Sequence, residues 1–261
     1  MESIYLLEHL NKQYHQLCIE GQTFVNNPSK DRVAVIIEPR RHELLFQVIR
    51  NVMYNAGNNW NLHVFTTEEN IEWIRDGFKG CSFRITLLNK NNITRDEYSM
   101  ILMSDTFWNT IPEENVLIFQ TDCVLFRKGL LDIWIDDHDH GFDYVGANYY
   151  NPNHVTASIG GIQGGLSLRK KSAMLDCIKN VSLHDVHAYR SRNRLEPIYN
   201  FIHEDVFFTH ACSILNKRVP SIEKRREFSI EADYYPAALG HHGLTHKYLT
   251  AEQQRELISN T

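Results

Sequence analysis

Long apolar runs are missing from this 261-residue chain. None approaches the roughly 20 residues that a membrane-spanning helix requires, so no membrane span is expected. Cysteine is sparse and unpatterned: Cys18, Cys81, Cys123, Cys177 and Cys212 lie far apart, are odd in number and form no CxxC pair. That excludes a zinc ribbon and a disulfide framework and fits reduced thiols in a cytosol-like compartment. A basic excess is also absent. The formal net charge of -5 gives no electrostatic footprint for nucleic acid. The opening residues, MESIYLLEHLNKQYHQ, lack the charged-then-apolar layout of a signal peptide. Repeats and low-complexity tracts do not occur. A cytoplasmic protein with one main domain is the expectation.

What remains is ordinary globular composition, 43% hydrophobic and 23% charged, arranged in alternating periods. Residues 2–20 place Ile4, Leu7, Leu10, Tyr14 and Leu17 on one helical face, and 21–31 reads as a linker. The chain therefore divides into an N-terminal helical extension with linker, 1–30, and a main domain, 31–261. RVAVIIE (32–38) is a strand buried on both faces. A helix over 42–54 follows, closed by Asn55-Ala56-Gly57. Next come a strand at 62–66 and a helix at 68–76 that Gly77 is placed to stop. Then follow a strand at 83–88, a helix within 94–108 with Thr94 as N-cap, and the strand VLIFQ (116–120). Strands separated by helices predict an α/β fold with a mostly parallel, Rossmann-like sheet and helices on both faces. The C-terminal half is less regular. DYVGA (143–147), GGLSLR (164–169) and EFSIE (227–231) read as strands, while 170–179 and 204–216 read as helices.

Ligands of open α/β sheets lie beyond the carboxyl ends of the strands. Three strands end there in polar groups: Glu38-Pro39-Arg40, Thr66-Thr67 and Gln120-Thr121-Asp122. Asp122 stands between two apolar runs, VLIF and CVLF, and an unpaired carboxylate is too costly to bury. A turn or cap role is the ordinary reading of such an Asp. A divalent cation on a diphosphate is the functional one, since oxygen ligands suit Mg2+ and Mn2+.

From Glu38 onward, ordered blocks of the chain resemble the GT-A-type nucleotide-sugar glycosyltransferases, nearest to a subfamily known mainly as a domain of unknown function. The blocks are VIIEPR (35–40), FWNTIPEENVLIFQTDCVLF (107–126), DYVGANYY (143–150), GGLSLR (164–169), HEDVFF (203–208) and GHHGLTHKYL (240–249). The resemblance implies a metal-dependent glycosyltransferase of GT-A-like fold, with an acceptor side in the less regular half. It would move a sugar from a nucleotide-diphosphate donor, UDP by family habit, onto a hydroxyl of a glycan, protein or small molecule. The usual Asp-x-Asp has lost its first acid to Gln120 here, which leaves Asp122 as the main ligand for Mn2+ or Mg2+. Of the C-terminal histidines, His241, His242 and His246 compete for the second ligand position. His242 is favoured because the small Gly243 follows it, with Lys247 nearby to meet phosphate.

On the donor side the resemblance implies Glu38, Arg40 and Thr66 at the nucleoside, with Gln120 and Thr121. Gly164 and Gly165 would lie beside the sugar, Ser167 and Arg169 only supporting their strand. Asp205 is expected as the base of an inverting reaction, with Glu204 the alternative; helix-dipole stabilisation is the ordinary reading of both acids. Core packing is the ordinary reading of Trp108, Tyr149 and Tyr150, with stacking on sugar or base the functional one, and 184–199, with Arg190, Arg192 and Arg194, reads as an acceptor loop or a solvated basic loop. A catalytically silent nucleotide- or carbohydrate-binding module, or a nucleotidyltransferase, are the alternatives. A homo-oligomer paired through the amphipathic N-terminal helix stays open.

Overall fold

The computed structural model describes residues 3–136, 141–149, 161–195, 198, 201–246 and 248–260. Helix α1 (Ile4–Ile19) leads into β1 (Arg32–Ile37), α2 (Leu45–Ala56) and β2 (Asn61–Thr66). A 3-10 turn (Glu68–Asn70) then opens α3 (Ile71–Gly77), followed by β3 (Arg84–Leu87), α4 (Arg95–Leu102), α5 (Asp105–Asn109) and β4 (Asn115–Phe119). The second half contains β5 (Cys123–Leu125), α6 (Ile133–Asp136), β6 (Tyr144–Asn148), β7 (Ile162–Lys170), α7 (Lys171–Asn180), α8 (Leu183–Arg192) and α9 (Glu204–Ile214). It closes with α10 (Ile222–Phe228), β8 (Ser229–Ile230), β9 (Gly240–His242) and α11 (Ala251–Ser259).

The main sheet runs β3-β2-β1-β4-β7-β6. Strands β3, β2, β1 and β4 are mutually parallel, and β7 is antiparallel to both β4 and β6. The carboxyl ends of β1, β2 and β4 therefore share one rim, as the sequence predicts. Alternation along each strand divides the core in two. Ala34, Ile36, Leu62, Val64, Leu117 and Phe119 face one apolar layer with α1, α2 and α3. Val33, Val35, Phe65, Val116 and Ile118 face the other, filled from α4, α5, α7, α8 and α9. Helices thus cover both faces. A second sheet, β5-β9-β8, sits beyond the end of β4.

Helix α1 is part of this core. It packs on α2 and α11 and buries Leu6, Leu10 and Leu17, whereas Ile4, assigned to the apolar face from sequence, is exposed. Its first residues also reach the far end of the chain: Ser3 Oγ donates to the His246 carbonyl at 3.0 Å and the Tyr5 amide to Gln254 Oε1 at 3.1 Å. Its apolar stripe is therefore covered within the chain.

Three local expectations need correction. Gly77 ends up as the last residue of α3, not as its stop. A Cβ there would stand 2.2 Å from the Phe46 ring, so close helix packing is what demands glycine. EFSIE is not one strand: Glu227 and Phe228 close α10, which Ser221 caps by accepting from the Lys224 amide, and only Ser229–Ile230 pair as strand. Residues 183–192, read as part of a loop, form α8, set by a Ser182–Asp185 capping box. The remainder of that segment includes Glu196, Pro197 and Tyr199, which lie outside the described residues.

Candidate functional site

The turn between β4 and β5 answers the question that Asp122 poses. The Cys123 amide bonds back to the Gln120 carbonyl at 3.2 Å, closing a turn that reverses the chain at the rim. The Asp122 carbonyl accepts from the amides of both Gly243 (3.0 Å) and Leu244 (2.9 Å). Gly243 has φ +105°, a conformation few other residues adopt. These bonds fix the carboxylate at the edge of an open crevice, with its side chain 18% exposed.

Strand β9 brings the histidines there. It pairs antiparallel with β5, setting Cys123 opposite His242, so the GHH segment is a strand and not a surface turn. Period-two alternation separates the two histidines. His241 is fully buried with Nδ1 on the Ile230 carbonyl at 3.1 Å, and burial, then the neighbouring His242, lowers its pKa to about 3. His242 faces the crevice with Nε2 3.5 Å from Asp122 Oδ1 and 3.2 Å from Gln120 Oε1. His246 lines the same cavity further out; Lys247 lies outside the described residues.

Gly164 and Gly165 border this cavity, and each leaves room for a side chain. A Cβ on Gly165 would stand 2.3 Å from His242 Nε2, and one on Gly164 would stand 2.0 Å from Glu204 Oε1. The glycines expected beside the sugar thus serve the protein first, letting His242 and Glu204 press against β7.

The two acids that open α9 meet different fates. Glu204 receives two bonds from fully buried Arg169, NH1 to Oε2 at 2.8 Å and NH2 to Oε1 at 3.2 Å. Burial pushes its carboxyl above the ordinary value, with Arg169 pulling the other way. Arg169 is further held by Ser167 Oγ (2.9 Å) and by the rings of Tyr144 and Phe208. More than strand support, Ser167 and Arg169 form a neutralised floor with Glu204. Both acids line the cavity, but Asp205 has different partners, its Oδ1 on the Val206 amide (2.8 Å) and its Oδ2 on the Tyr149 hydroxyl. Burial, followed by the Asp205 charge, holds the Tyr149 phenol well above its usual pKa. It stays protonated and donates.

Two chambers make up the crevice. The larger, about 920 Å³, includes Asp122, His242, Gly164, Gly165, Asp205 and Tyr149 in its lining. The smaller, about 320 Å³, lies at the ends of β1 and β4 and includes Glu38, Arg40 and Thr121. Arg95, Tyr98, Gln120 and Asp122 line both. Arg40 grips Glu38 with Nε and NH2, each at 2.8 Å. Thr66 does not line either chamber; it is fully buried, and its hydroxyl accepts from Asn70 Nδ2. Trp108 is likewise core, donating from Nε1 to the Leu102 carbonyl. Tyr150 lies outside the described residues.

Arg95, Tyr98, His203, Gln163 and Glu231 also line the larger chamber, and sequence reasoning missed them. One signal was legible: Glu231, like Asp122, is an acid ending an apolar run.

The donor set fits a divalent cation. Two ligands of one ion at bond lengths of about 2.1 Å stand roughly 3 Å apart, close to the spacing of Asp122 Oδ1, His242 Nε2 and Gln120 Oε1. Among the described residues no group of three or more His, Cys, Asp or Glu side chains is placed to hold a metal ion. Also among the described residues, no helix is long and apolar enough to cross a membrane, and all five cysteines are unpaired.

No curated protein sequence matches the chain. Among solved structures, mouse xyloside xylosyltransferase 1 in its apo form superposes with a TM-score of 0.55 at 11% identity, over 82% of this chain and 97% of that one. The glycosyltransferase GlyE of Streptococcus pneumoniae TIGR4, also apo, gives 0.48 at 11% identity, over 84% and 55%. The mannosyltransferase PcManGT of Pyrobaculum calidifontis, in complex with GDP-Man and Mn2+, gives 0.43 at 13% identity, over 84% and 66%. At such identities the likeness is one of fold. The family described as "Protein of unknown function (DUF5672)" matches residues 82–243, a span that holds β4, Asp122, the two acids of α9 and His242. With that span and its mostly parallel sheet, the chain belongs to the DUF5672 family and has the GT-A-like glycosyltransferase fold.

Proposed function

We propose that the protein is a metal-dependent glycosyltransferase that moves a sugar from a nucleotide-diphosphate donor to an acceptor hydroxyl, inverting the anomeric centre. One observation carries the reading: Asp122, His242 and Asp205 open onto one cavity that continues past Gln120 into a second chamber at the strand ends. Such a crevice accommodates a nucleoside at one end and a sugar at the other. Asp122 and His242 would hold Mn2+ or Mg2+, with Gln120 Oε1 alongside. The bound ion supplies charge stabilisation for the departing diphosphate. Glu38, Arg40 and Thr121 line the nucleoside end, where UDP is the first nucleotide to test on the sequence resemblance. Lys247 remains a candidate phosphate partner.

Asp205 takes the acceptor proton as the acceptor oxygen bonds to the anomeric carbon. The bond from that carbon to the diphosphate oxygen breaks, and its electron pair leaves with the nucleotide. Glu204 is less available to an acceptor than its neighbour because Arg169 occupies both of its oxygens. Tyr149 holds Asp205 by its Oδ2.

Gln120 in place of the first acid favours a second reading, a silent binding module. A panel of nucleotide sugars with Mn2+, scored by thermal shift and then by release of nucleotide diphosphate onto glycan, peptide and small-molecule acceptors, separates the two. Asp122→Ala is expected to abolish Mn2+-dependent UDP binding and turnover. A folded Asp122→Ala protein with wild-type activity would overturn the mechanism, and binding without turnover on every acceptor would support the silent module.

A further inference from the structure

We propose that Gln163 and Glu231 form a hydrogen-bonded relay that sets the tautomer and aim of His242, leaving Nε2 free to bind the cation. This rests on the glycosyltransferase reading above for the identity of the ion, while the relay itself stands on side-chain geometry. Three segments build it. Glu231 directly follows β8, which runs parallel to β9 with Ile230 opposite His241, so the register carries Glu231 alongside His242. Gln163 comes from β7 and is 7% exposed; the Glu231 side chain is 13% exposed.

The donor and acceptor inventory sets the order. A carboxylate only accepts, so Gln163 turns its amide Nε2 toward Glu231 Oε2. That turns Gln163 Oε1 toward His242 Nδ1, at 3.4 Å. Glu231 Oε1 stands 3.7 Å from the same nitrogen. Nδ1 therefore faces two oxygens, and Nε2 faces two others, Asp122 Oδ1 and Gln120 Oε1. A cation held at Nε2 would take the place of a proton there and would leave the ring's proton on Nδ1, where Gln163 Oε1 and Glu231 Oε1 stand to accept it. Gly165 leaves the room in which the ring lies, since a Cβ there would stand 2.3 Å from Nε2. Outer partners of this kind fix ligand orientation in metal sites generally, and losing one costs roughly 10- to 100-fold in metal affinity.

Glu231→Gln tests the relay directly. An amide at 231 donates as well as accepts, so Gln163 can reverse and offer its NH2 to Nδ1, which moves the ring proton to Nε2. Mn2+ is titrated into the full chain with UDP present, and free Mn2+ is read by electron paramagnetic resonance. Glu231→Gln and Gln163→Leu are each expected to weaken Mn2+ binding about 10- to 100-fold, with the metal-free melting temperature unchanged. Glu231→Asp should recover part of the loss. At saturating Mn2+, turnover returns in Glu231→Gln but not in Asp122→Ala, which distinguishes a positioning residue from a ligand.

Wild-type Mn2+ affinity in both relay variants, alongside lost affinity in Asp122→Ala, overturns the relay and leaves the glycosyltransferase reading standing. A wild-type chain that takes up no Mn2+ with UDP overturns both. Should the variants misfold, 15N histidine spectra of the wild-type chain with Mg2+ and UDP decide the matter. A proton on His242 Nδ1 supports the relay, and one on Nε2 overturns it.

Discussion

Glu204 and Asp205 are consecutive in sequence yet belong to two regions with opposite chemistry. Below the crevice lies a dry floor, where the Glu204 carboxylate and the Arg169 guanidinium satisfy each other among aromatic rings. Above it lies a mouth where Asp122, His242 and Asp205 are only partly engaged and face a cavity. The difference shows how one helix N-terminus divides its acids. The acid gripped by two guanidinium bonds holds structure, whereas among the described residues its neighbour is held by the Tyr149 hydroxyl and the Val206 amide.

Exchanging the neighbours gives the widest separation. Asp205→Asn is expected to lower turnover by about 10²- to 10⁴-fold with little change in melting temperature. Glu204→Gln leaves Arg169 as an uncompensated buried charge and should cost about 3–5 kcal/mol in denaturant unfolding. Equal effects from the two variants, in either assay, would erase the distinction between floor and mouth.

Gly165→Ala probes the seam where the two regions meet. Its Cβ would collide with the His242 ring, and a displacement near 1 Å at a reacting centre costs about 100-fold in turnover. The accompanying loss of stability should stay at about 1–3 kcal/mol. Turnover assays and denaturant unfolding of the same variant read the two numbers separately.

A smaller effect comes from acid. His63 and His210 are buried away from the mouth, and burial lowers their pKa values to about 3 and about 4. The folded values lie below the unfolded value near 6.5. The neutral rings therefore contribute fully above pH 6.5, and that contribution is lost as pH falls toward the folded values. From pH 7.5 to pH 5 each should forfeit about 2 kcal/mol, measured as a falling urea midpoint that His63→Gln makes shallower.

The regular half of the fold was the more legible half. RVAVIIE and VLIFQ are continuous apolar runs with helical periods between them, so the mostly parallel sheet and the shared rim follow from period and connection rules. Thr94 was legible as an N-cap, and the structure adds Glu97, which completes a capping box with it. Short pairings in the second half were harder to read. The two residues of β8 and three of β9 are strands only because β5 lies beside them, and no local signal carries that. EFSIE misled because its apolar alternation continues a helix that Ser221 had already begun. Asp122 was visible as a lone acid between apolar runs. His242 could be preferred over its neighbours only weakly, because the reason for it, a glycine pair on β7 some 80 residues earlier, is a contact across the fold.

The bond from Ser3 to the His246 carbonyl has a practical consequence. It ties Ser3, just ahead of α1, to the loop that carries His246, while Leu6 and Leu10 anchor the same helix in the core. An affinity tag fused just ahead of residue 3, or a deletion trimming the first twenty residues as dispensable, would disturb the crevice rim from behind.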